Sequence, residues 1–298
     1  MLQEKWQSKI GMLKKHKVFN MEKLLIIDGS SLLFQSFYGM PSQITNKNGD
    51  RVEAVLCFLG ILLKTIKATQ PNKLLVVFDG ETKLERRDID KNYKANRINY
   101  AELDANNTPF PQLELIKNVL TKLNFCWVET TTCEADDLIA SVVNDYKQNF
   151  EIVISTSDKD FYQLISSNVN VYTYRGKISV LWTEEEILKK YKFSAKHFLT
   201  LKCLTGDKSD NIKGVKGLGI VTATKLINQF GNVFNIYENL KNITPRIAEL
   251  LTANKQVVFK NYELVNLTNK TNLYVLGNCN FVLPTLTSTQ ILKQFEVL

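Results

Sequence analysis

KLLIIDGSS, residues Lys23 to Ser31, is an apolar run closed by an acid and followed by a glycine and two serines. It reads as a buried strand, Lys23 to Asp28, with a tight exit. The same form recurs at Lys73 to Asp79 (KLLVVFD), Phe125 to Glu129 (FCWVE) and Glu151 to Thr156 (EIVIST). Helical periods lie between these runs, at Val52 to Thr69, Gln112 to Leu123 and Ala135 to Tyr146. Strands that are apolar throughout and alternate with helices indicate an α/β layer, a parallel sheet covered on both faces.

Two stretches break this rhythm. Gly80 to Thr108 is polar and charged, far longer than the ~2–6 residues usual between a strand and the next helix. After an expected hairpin around Arg175 and Gly176, the chain from Glu184 loses its strands and reads as helices with short connections. The expected organisation is a basic extension over residues 1–20, an α/β layer over 21–190 with its insert at about 80–108, and a helical unit over 191–298. Met21, just before the first strand, is an alternative translation start.

With 298 residues the chain has room for one large or two modest domains. Lys and Arg number 38 against 30 Asp and Glu, a net charge of +8 that favours an anionic partner. A hydrophobic share of 44% and a charged share of 23% are ordinary globular values, which excludes disordered and fibrous classes. Apolar runs such as Val55 to Leu63 stop short of the ~18–20 residues that span a bilayer, so no membrane partner is expected. Cys57, Cys126, Cys133, Cys203 and Cys279 are odd in number, widely spaced and free of any C-x-x-C pair. They read as buried thiols in a reducing, cytoplasmic setting. His16 and His197 are the only histidines, too few for most zinc sites, so carboxylates must carry the chemistry.

In open α/β sheets, ligands bind beyond the carboxyl ends of the strands. Asp28 ends the first strand and Asp79 the second. Glu134, Asp136 and Asp137 follow the third in CEADDL, and Asp158 and Asp160 follow the fourth in TSDKDF. Asp207 and Asp210 lie in GDKSDN, spaced to share one side of a helical turn. Any one cluster is explained as well by helix capping or dipole compensation. Together they gather like charges at one rim, where mutual repulsion opposes ionisation unless cations balance it. An all-oxygen, histidine-free set suits Mg²⁺ or Mn²⁺, and the number of acids suits two or more ions. Two such ions clamp the attacking and leaving oxygens of a phosphodiester.

Within the insert, Lys83, Arg86, Arg87, Lys91, Lys94 and Arg97 outnumber Glu85, Asp88 and Asp90. On a helix, Lys91, Lys94 and Arg97 form a basic stripe, equally readable as a solvated surface or as a phosphate contact beside the acidic rim. Ile212 to Gly231, IKGVKGLGIVTATKLINQFG, matches a dinucleotide loop poorly because no strand precedes it. It reads better as a helix-hairpin-helix: a short helix ending near Gly214, a tight turn from Val215 to Gly219, and a helix from Thr222 to Phe230. Gly214, Gly217 and Gly219 let the backbone approach a phosphate, the helix start at Thr222 offers N–H groups, and Lys213, Lys216 and Lys225 surround the turn.

From about Lys23 onward the sequence resembles the 5′-nuclease domain of bacterial DNA polymerase I and its stand-alone relatives, the flap endonuclease-like 5′–3′ exonucleases. The resemblance rests on IDGSSLLF, VVFDG, YKANR ending at Arg97, CEADDL, STSDKDFYQL and GDKSDNIKGVKGLGIVTATKL, in that order. It implies a PIN-like α/β nuclease layer with a helical arch and a C-terminal helix-hairpin-helix domain that grips duplex DNA. It further implies that Asp28, Asp79, Glu134, Asp136, Asp137, Asp158, Asp160, Asp207 and Asp210 hold two or more Mg²⁺ (or Mn²⁺) ions, with K⁺ at the hairpin. Lys94 and Arg97 match residues that contact the scissile phosphate; Arg86 and Lys91 join the hairpin residues as expected DNA contacts. The implied reaction is metal-dependent release of nucleotides or short flaps from 5′ ends and duplex junctions, RNA primers included, in replication and repair. The expected form is a monomer acting beside a separate polymerase.

Gln35 departs from the family pattern, which has Arg seven residues after the first aspartate. Gln donates a hydrogen bond but no charge, which weakens a phosphate contact there by ~1–2 kcal/mol. Two other readings stand beside the nuclease: a DNA-junction binder without turnover, and a PIN-type ribonuclease.

Overall fold

The computed structural model describes residues 21–80, 86–98, 100–104 and 107–298. The basic extension, and Lys83 and Glu85 of the insert, lie outside the described residues. The expected strands form at β1 (Glu22–Asp28), β2 (Lys73–Phe78), β3 (Cys126–Glu129) and β4 (Phe150–Ser155), joined by β5 (Val169–Thr173) and β6 (Val180–Trp182). They build one sheet in the order β3-β2-β1-β4-β5-β6. The first five are parallel, and β6 returns antiparallel to β5 through the expected hairpin. From β1 the chain moves outward to β2 and β3 on one side and later to β4 on the other, which opens a crevice beyond the end of β1.

Why the strands are apolar at every position is visible in β1. Leu24 and Ile26 face a core with Ile139, Val142 and Val143; Leu25 and Ile27 face a second core with Phe58, Leu59 and Leu62. Successive side chains point to opposite faces, so a sheet covered twice has no solvent face. Each fully buried Leu or Ile stabilises the fold by about 2 kcal/mol. Helices α1 (Gly29–Gly39), α2 (Glu53–Thr69) and α3 (Phe110–Lys122) cover one face, and α4 (Ala135–Tyr146) the other.

The helical unit contains α5 (Glu184–Tyr191), α6 (Phe198–Thr205), α7 (Ile220–Phe230), α8 (Val233–Glu238), α9 (Pro245–Ala253) and α10 (Lys255–Val265). Here the structure corrects two expectations. The helix expected to end near Gly214 ends at Thr205, because Gly206 turns the chain with φ of 71°. The following residues form a two-stranded hairpin, β7 (Gly206–Asp207) and β8 (Ile212–Lys213), so Asp207 and Asp210 sit on a hairpin and not on a helical turn.

A further correction concerns the end of the expected 191–298 unit. After Val265 the chain crosses α4: Asn272 N–H donates to Asp145 Oδ2 at 2.9 Å and Leu273 N–H to Ser141 Oγ at 2.8 Å. It then meets the sheet, where the Cys279 carbonyl accepts from Leu74 N–H at 2.9 Å. The last helix, α11 (Ser288–Gln294), starts with a capping box between Thr287 and Gln290. It buries Ile291 and Leu292 in the core that holds Phe58 and Leu62. In space, these residues belong to the sheet layer.

Among the described residues of the insert, α-helix is confined to one turn, Arg86–Ile89. The basic stripe is therefore not formed. Lys94 adopts φ of 53°, which breaks any helix through it, and Tyr93 and Lys94 are buried while Lys91 and Arg97 face outward.

Candidate active site

The strand ends deliver their acids into one cavity of about 600 Å³, lined by Asp28, Asp79, Asp136, Asp158, Asp207 and Asp210. Asp28 ends β1 and caps α1. One oxygen accepts from Ser31 N–H at 2.9 Å and the other from the Thr156 hydroxyl at 2.7 Å. Asp79 follows β2 and accepts from Ala135 N–H at 2.8 Å, at the start of α4. Asp158 is fixed by its own N–H on Thr156 Oγ1 at 3.0 Å and by accepting from Asp160 N–H at 2.8 Å. Asp28 and Asp79 are thus each held by the exit of a neighbouring strand, and Asp158 by its own turn.

Burial pushes Asp28 up to about 7, against its hydrogen bonds to Ser31 and Thr156, with Asp79 and Asp158 adding repulsion. Burial also drives Asp136 well above the carboxylate range, and Asp158, Asp28 and Asp79 reinforce it against Lys94. Asp160 is raised to about 7 by burial and by Asp158, although Lys202 pairs with it. Asp207 experiences burial too, but its hydrogen bonds to Lys202 and Ser209 outweigh that and lower it. Lys202, which no motif singled out, therefore bridges Asp160 and Asp207. The sequence signal was available: a lysine five residues before Asp207, on the last turns of α6.

Of the three remaining acids, Asp160 shares Lys202 with Asp207, and the other two are committed elsewhere. Glu134 is held by Lys94 and Arg86, and Asp137 by Arg86 and by Lys270 at 3.5 Å. Arg86 was expected on DNA; the structure corrects this. It is 7% exposed and gives its guanidinium to Asp137 and Glu134 and its Nε to the Leu264 carbonyl at 2.8 Å. Burial opposes the Arg86 charge, and Asp137 more than restores it. Asp137, expected as a metal ligand, faces this buried arginine beside a separate small hollow. Lys94 reaches the cavity wall while pairing with Glu134, and Arg97 pairs with Asp210 at 2.8 Å with about half its side chain exposed. Gln35 donates to the Tyr174 carbonyl at 3.1 Å, tying α1 to the β5–β6 hairpin.

Beyond the cavity, Gly214 packs so tightly that a Cβ there would lie 2.2 Å from the Thr205 carbonyl group. Gly217 turns with φ of 88°, and Gly219 precedes α7 with open space around it. Lys213, Lys216, Gly217, Gly219 and Lys225 are exposed and Thr222 is partly so, which leaves this turn available to a backbone phosphate.

Among the described residues no three Asp, Glu, His or Cys side chains converge closely enough to ligate one ion unaided. The donor set nonetheless fits a hydrated divalent cation. It is all oxygen, its carboxylates are destabilised for want of positive charge, and Mg²⁺ retains several waters while binding through one or two carboxylates. No described helix is long and apolar enough to cross a membrane.

Comparison with known proteins agrees with this fold. The model for the 5′-3′ exonuclease N-terminal resolvase-like domain matches residues 23–192, and that for the 5′-3′ exonuclease C-terminal SAM fold matches 193–279. DNA polymerase I of Caldicellulosiruptor bescii is 34% identical over 255 residues, covering 82% of this chain and 29% of that protein. The thermostable DNA polymerase I of Thermus thermophilus is 35% identical over 225 residues, covering 75% and 26%. The chain thus spans less than a third of the length of these relatives. Among solved structures, T5 5′-exonuclease with bound zinc superposes with a TM-score of 0.68 at 23% identity, over 83% of this chain and 90% of that one. The catalytic core of Rad2 in complex with DNA substrate gives 0.59 at 17%, over 92% and 87%. At these identities the two structures share the fold.

Proposed function

The chain belongs to the 5′-3′ exonuclease family, and from that premise we propose that it hydrolyses DNA phosphodiesters at 5′ ends, 5′ flaps and duplex junctions. The observation that carries this reading is the cavity where six aspartates from successive strand ends and the β7–β8 hairpin face one another. Such a set is stable when ionised only with cations among it. Bound there, Mg²⁺ or Mn²⁺ would lower the pKa of an attacking water and offset charge on the scissile phosphate. Asp28, Asp79, Asp136, Asp158, Asp207 and Asp210 are the residues that would hold the ions, directly or through water. Arg97, half exposed beside the cavity, is positioned to meet the phosphate, and Lys94 is placed to follow if Glu134 releases it.

The hairpin before α7 supports a sequence-independent grip on the duplex, through N–H groups at the helix start and Lys213, Lys216 and Lys225 around it. K⁺ at this turn, RNA primers as substrates, a monomeric state and a role in replication and repair belong to the same reading. So does a DNA-containing, reducing compartment, which five thiols without a disulfide favour.

The deciding experiment is incubation of the protein with a 5′-flap duplex and Mg²⁺. Cleavage near the branch, abolished by EDTA, is the expected result. Intact flap at enzyme excess in both Mg²⁺ and Mn²⁺ overturns the proposal, and preferential cutting of single-stranded RNA in a parallel tube replaces it with a ribonuclease.

A further inference from the structure

Cys126 opens β3, the edge strand of the sheet, and Cys279 lies in the chain that returns to the sheet from the helical unit. Their sulfur atoms stand 3.0 Å apart. Both backbones are fixed by contacts that do not involve sulfur. The Cys279 carbonyl accepts from Leu74 N–H at 2.9 Å, Asn280 bridges Lys73 in antiparallel fashion, and Lys73 Nζ donates to Asn280 Oδ1 at 2.8 Å. Cys126 is in register with Leu75. Cys279 and Asn280 therefore fill the place beside Lys73 and Leu74 that β3 would occupy if it began earlier, and the two thiols meet where these pieces of edge abut. A disulfide requires the sulfurs to approach by only about 1 Å more.

We propose that Cys126 and Cys279 form a reversible disulfide when the protein meets a hydroperoxide, stapling the returning chain to the sheet edge. Cys126 is half-buried and reached by solvent, whereas Cys279 is fully buried, which sets the order of events. The hydrogen bond from Cys279 lowers the Cys126 thiol, against burial, which favours its thiolate over that of Cys279. The Cys126 sulfur attacks one peroxide oxygen, the O–O bond breaks, and a sulfenic acid and hydroxide result. The Cys279 sulfur then attacks the Cys126 sulfur. The S–S bond forms, the S–O bond breaks, and the departing hydroxide takes the Cys279 proton. Two thiols and one hydrogen peroxide become one disulfide and two waters; two electrons pass from sulfur to oxygen. A dithiol reductant reverses the change.

The bond closes a loop that contains α4, β4, the β5–β6 hairpin and the helical unit. It lies at the end of β3 remote from the acidic rim, so it acts on stability and not on the site. The test treats the full chain with hydrogen peroxide, then measures free thiols under denaturing conditions and maps peptides by mass spectrometry. The expected result is loss of two of the five thiols, a peptide pair joining Cys126 to Cys279 that is lighter by two hydrogens, and a Tm higher by roughly 5 °C that dithiothreitol reverses. In Cys279→Ser the same treatment should leave Cys126 as a sulfenic or sulfinic acid with no rise in Tm. Retention of all five thiols, a disulfide between other cysteines, or wild-type Cys126 passing to sulfinic acid while Cys279 stays free would overturn the proposal. The peptide map of the wild-type chain decides the matter even if the variant does not fold.

Discussion

The backbone N–H of Lys94 donates to the Asp210 carbonyl at 3.0 Å, joining the insert after β2 to the β7–β8 hairpin. Three further contacts run alongside: Asn211 Nδ2 to the Asn92 carbonyl at 2.9 Å, Asn96 Nδ2 to the Lys208 carbonyl at 3.1 Å, and Arg97 to Asp210 at 2.8 Å. Asn211 has φ of 58°, a conformation asparagine tolerates and alanine adopts at a cost of about 1 kcal/mol. Asn211→Ala, which also removes a hydrogen bond, should loosen the seam by about 2 kcal/mol. Hydrogen exchange at residues 92–97 should quicken; unchanged protection there would show that the seam does not depend on Asn211.

Arg86 separates a structural role from a DNA-binding one. Removing it leaves buried Asp137 with only the longer, partly exposed contact to Lys270 and Glu134 with Lys94 alone, a loss of roughly 3 kcal/mol. Urea unfolding of Arg86→Ala should show that loss. A variant of wild-type stability whose DNA binding depends less on salt would return Arg86 to the DNA interface.

The acidic rim makes stability depend on pH in a direction opposite to that of a salt-bridged carboxylate. Asp28 and Asp160 are raised to about 7 in the fold, above their ordinary value of 3.8. Between those values the folded state binds more protons than the unfolded one, so their contribution is full below about 4 and is lost as pH rises through 7. In EDTA, Tm should therefore fall between about pH 5.5 and about pH 8.5. Added Mg²⁺ should raise Tm more at the higher pH; an equal gain at both would contradict a cation-binding rim.

Gly214 and Gly219 should respond oppositely to alanine. A Cβ on Gly214 meets the Thr205 backbone at 2.2 Å, while one on Gly219 meets nothing within 4 Å. Gly214→Ala should destabilise by about 2 kcal/mol or more, and Gly219→Ala should keep the wild-type Tm. Equal melting temperatures for the two variants would contradict this packing.

Lys213, Lys216 and Lys225 each present an exposed charge around the hairpin. Neutralising any one to Gln should reduce the slope of log affinity for duplex DNA against log salt by about 1. A slope that does not move would place the duplex elsewhere.

The strands and the acids at their ends are legible in the sequence because a doubly covered sheet demands unbroken apolar runs, and the residue ending each run is set at the crevice by the backbone. What Lys94 does is not legible. Its spacing from Lys91 and Arg97 fits a helical stripe, but its left-handed turn and burial arise from Glu134 and Asp210, distant in sequence. Lys202 escaped for a similar reason: pairing with Asp160 and Asp207 at once requires the fold that joins α6 to the sheet. The tail around Ile291 and Leu292 is locally readable as helix, yet no local pattern states which layer a short amphipathic helix joins. Here the core beside Phe58 accepts it.

That return of the chain bears on how the protein is made. The place beside Leu74 at the sheet edge and the seat of Ile291 and Leu292 beside α2 are filled only by residues after Gly277. During synthesis the α/β layer emerges well before its closing pieces and must wait, with apolar surface uncovered, until the helical unit and the tail have left the ribosome. The two halves should consequently melt in one transition, and the acidic rim should become rigid among the last parts of the molecule to do so.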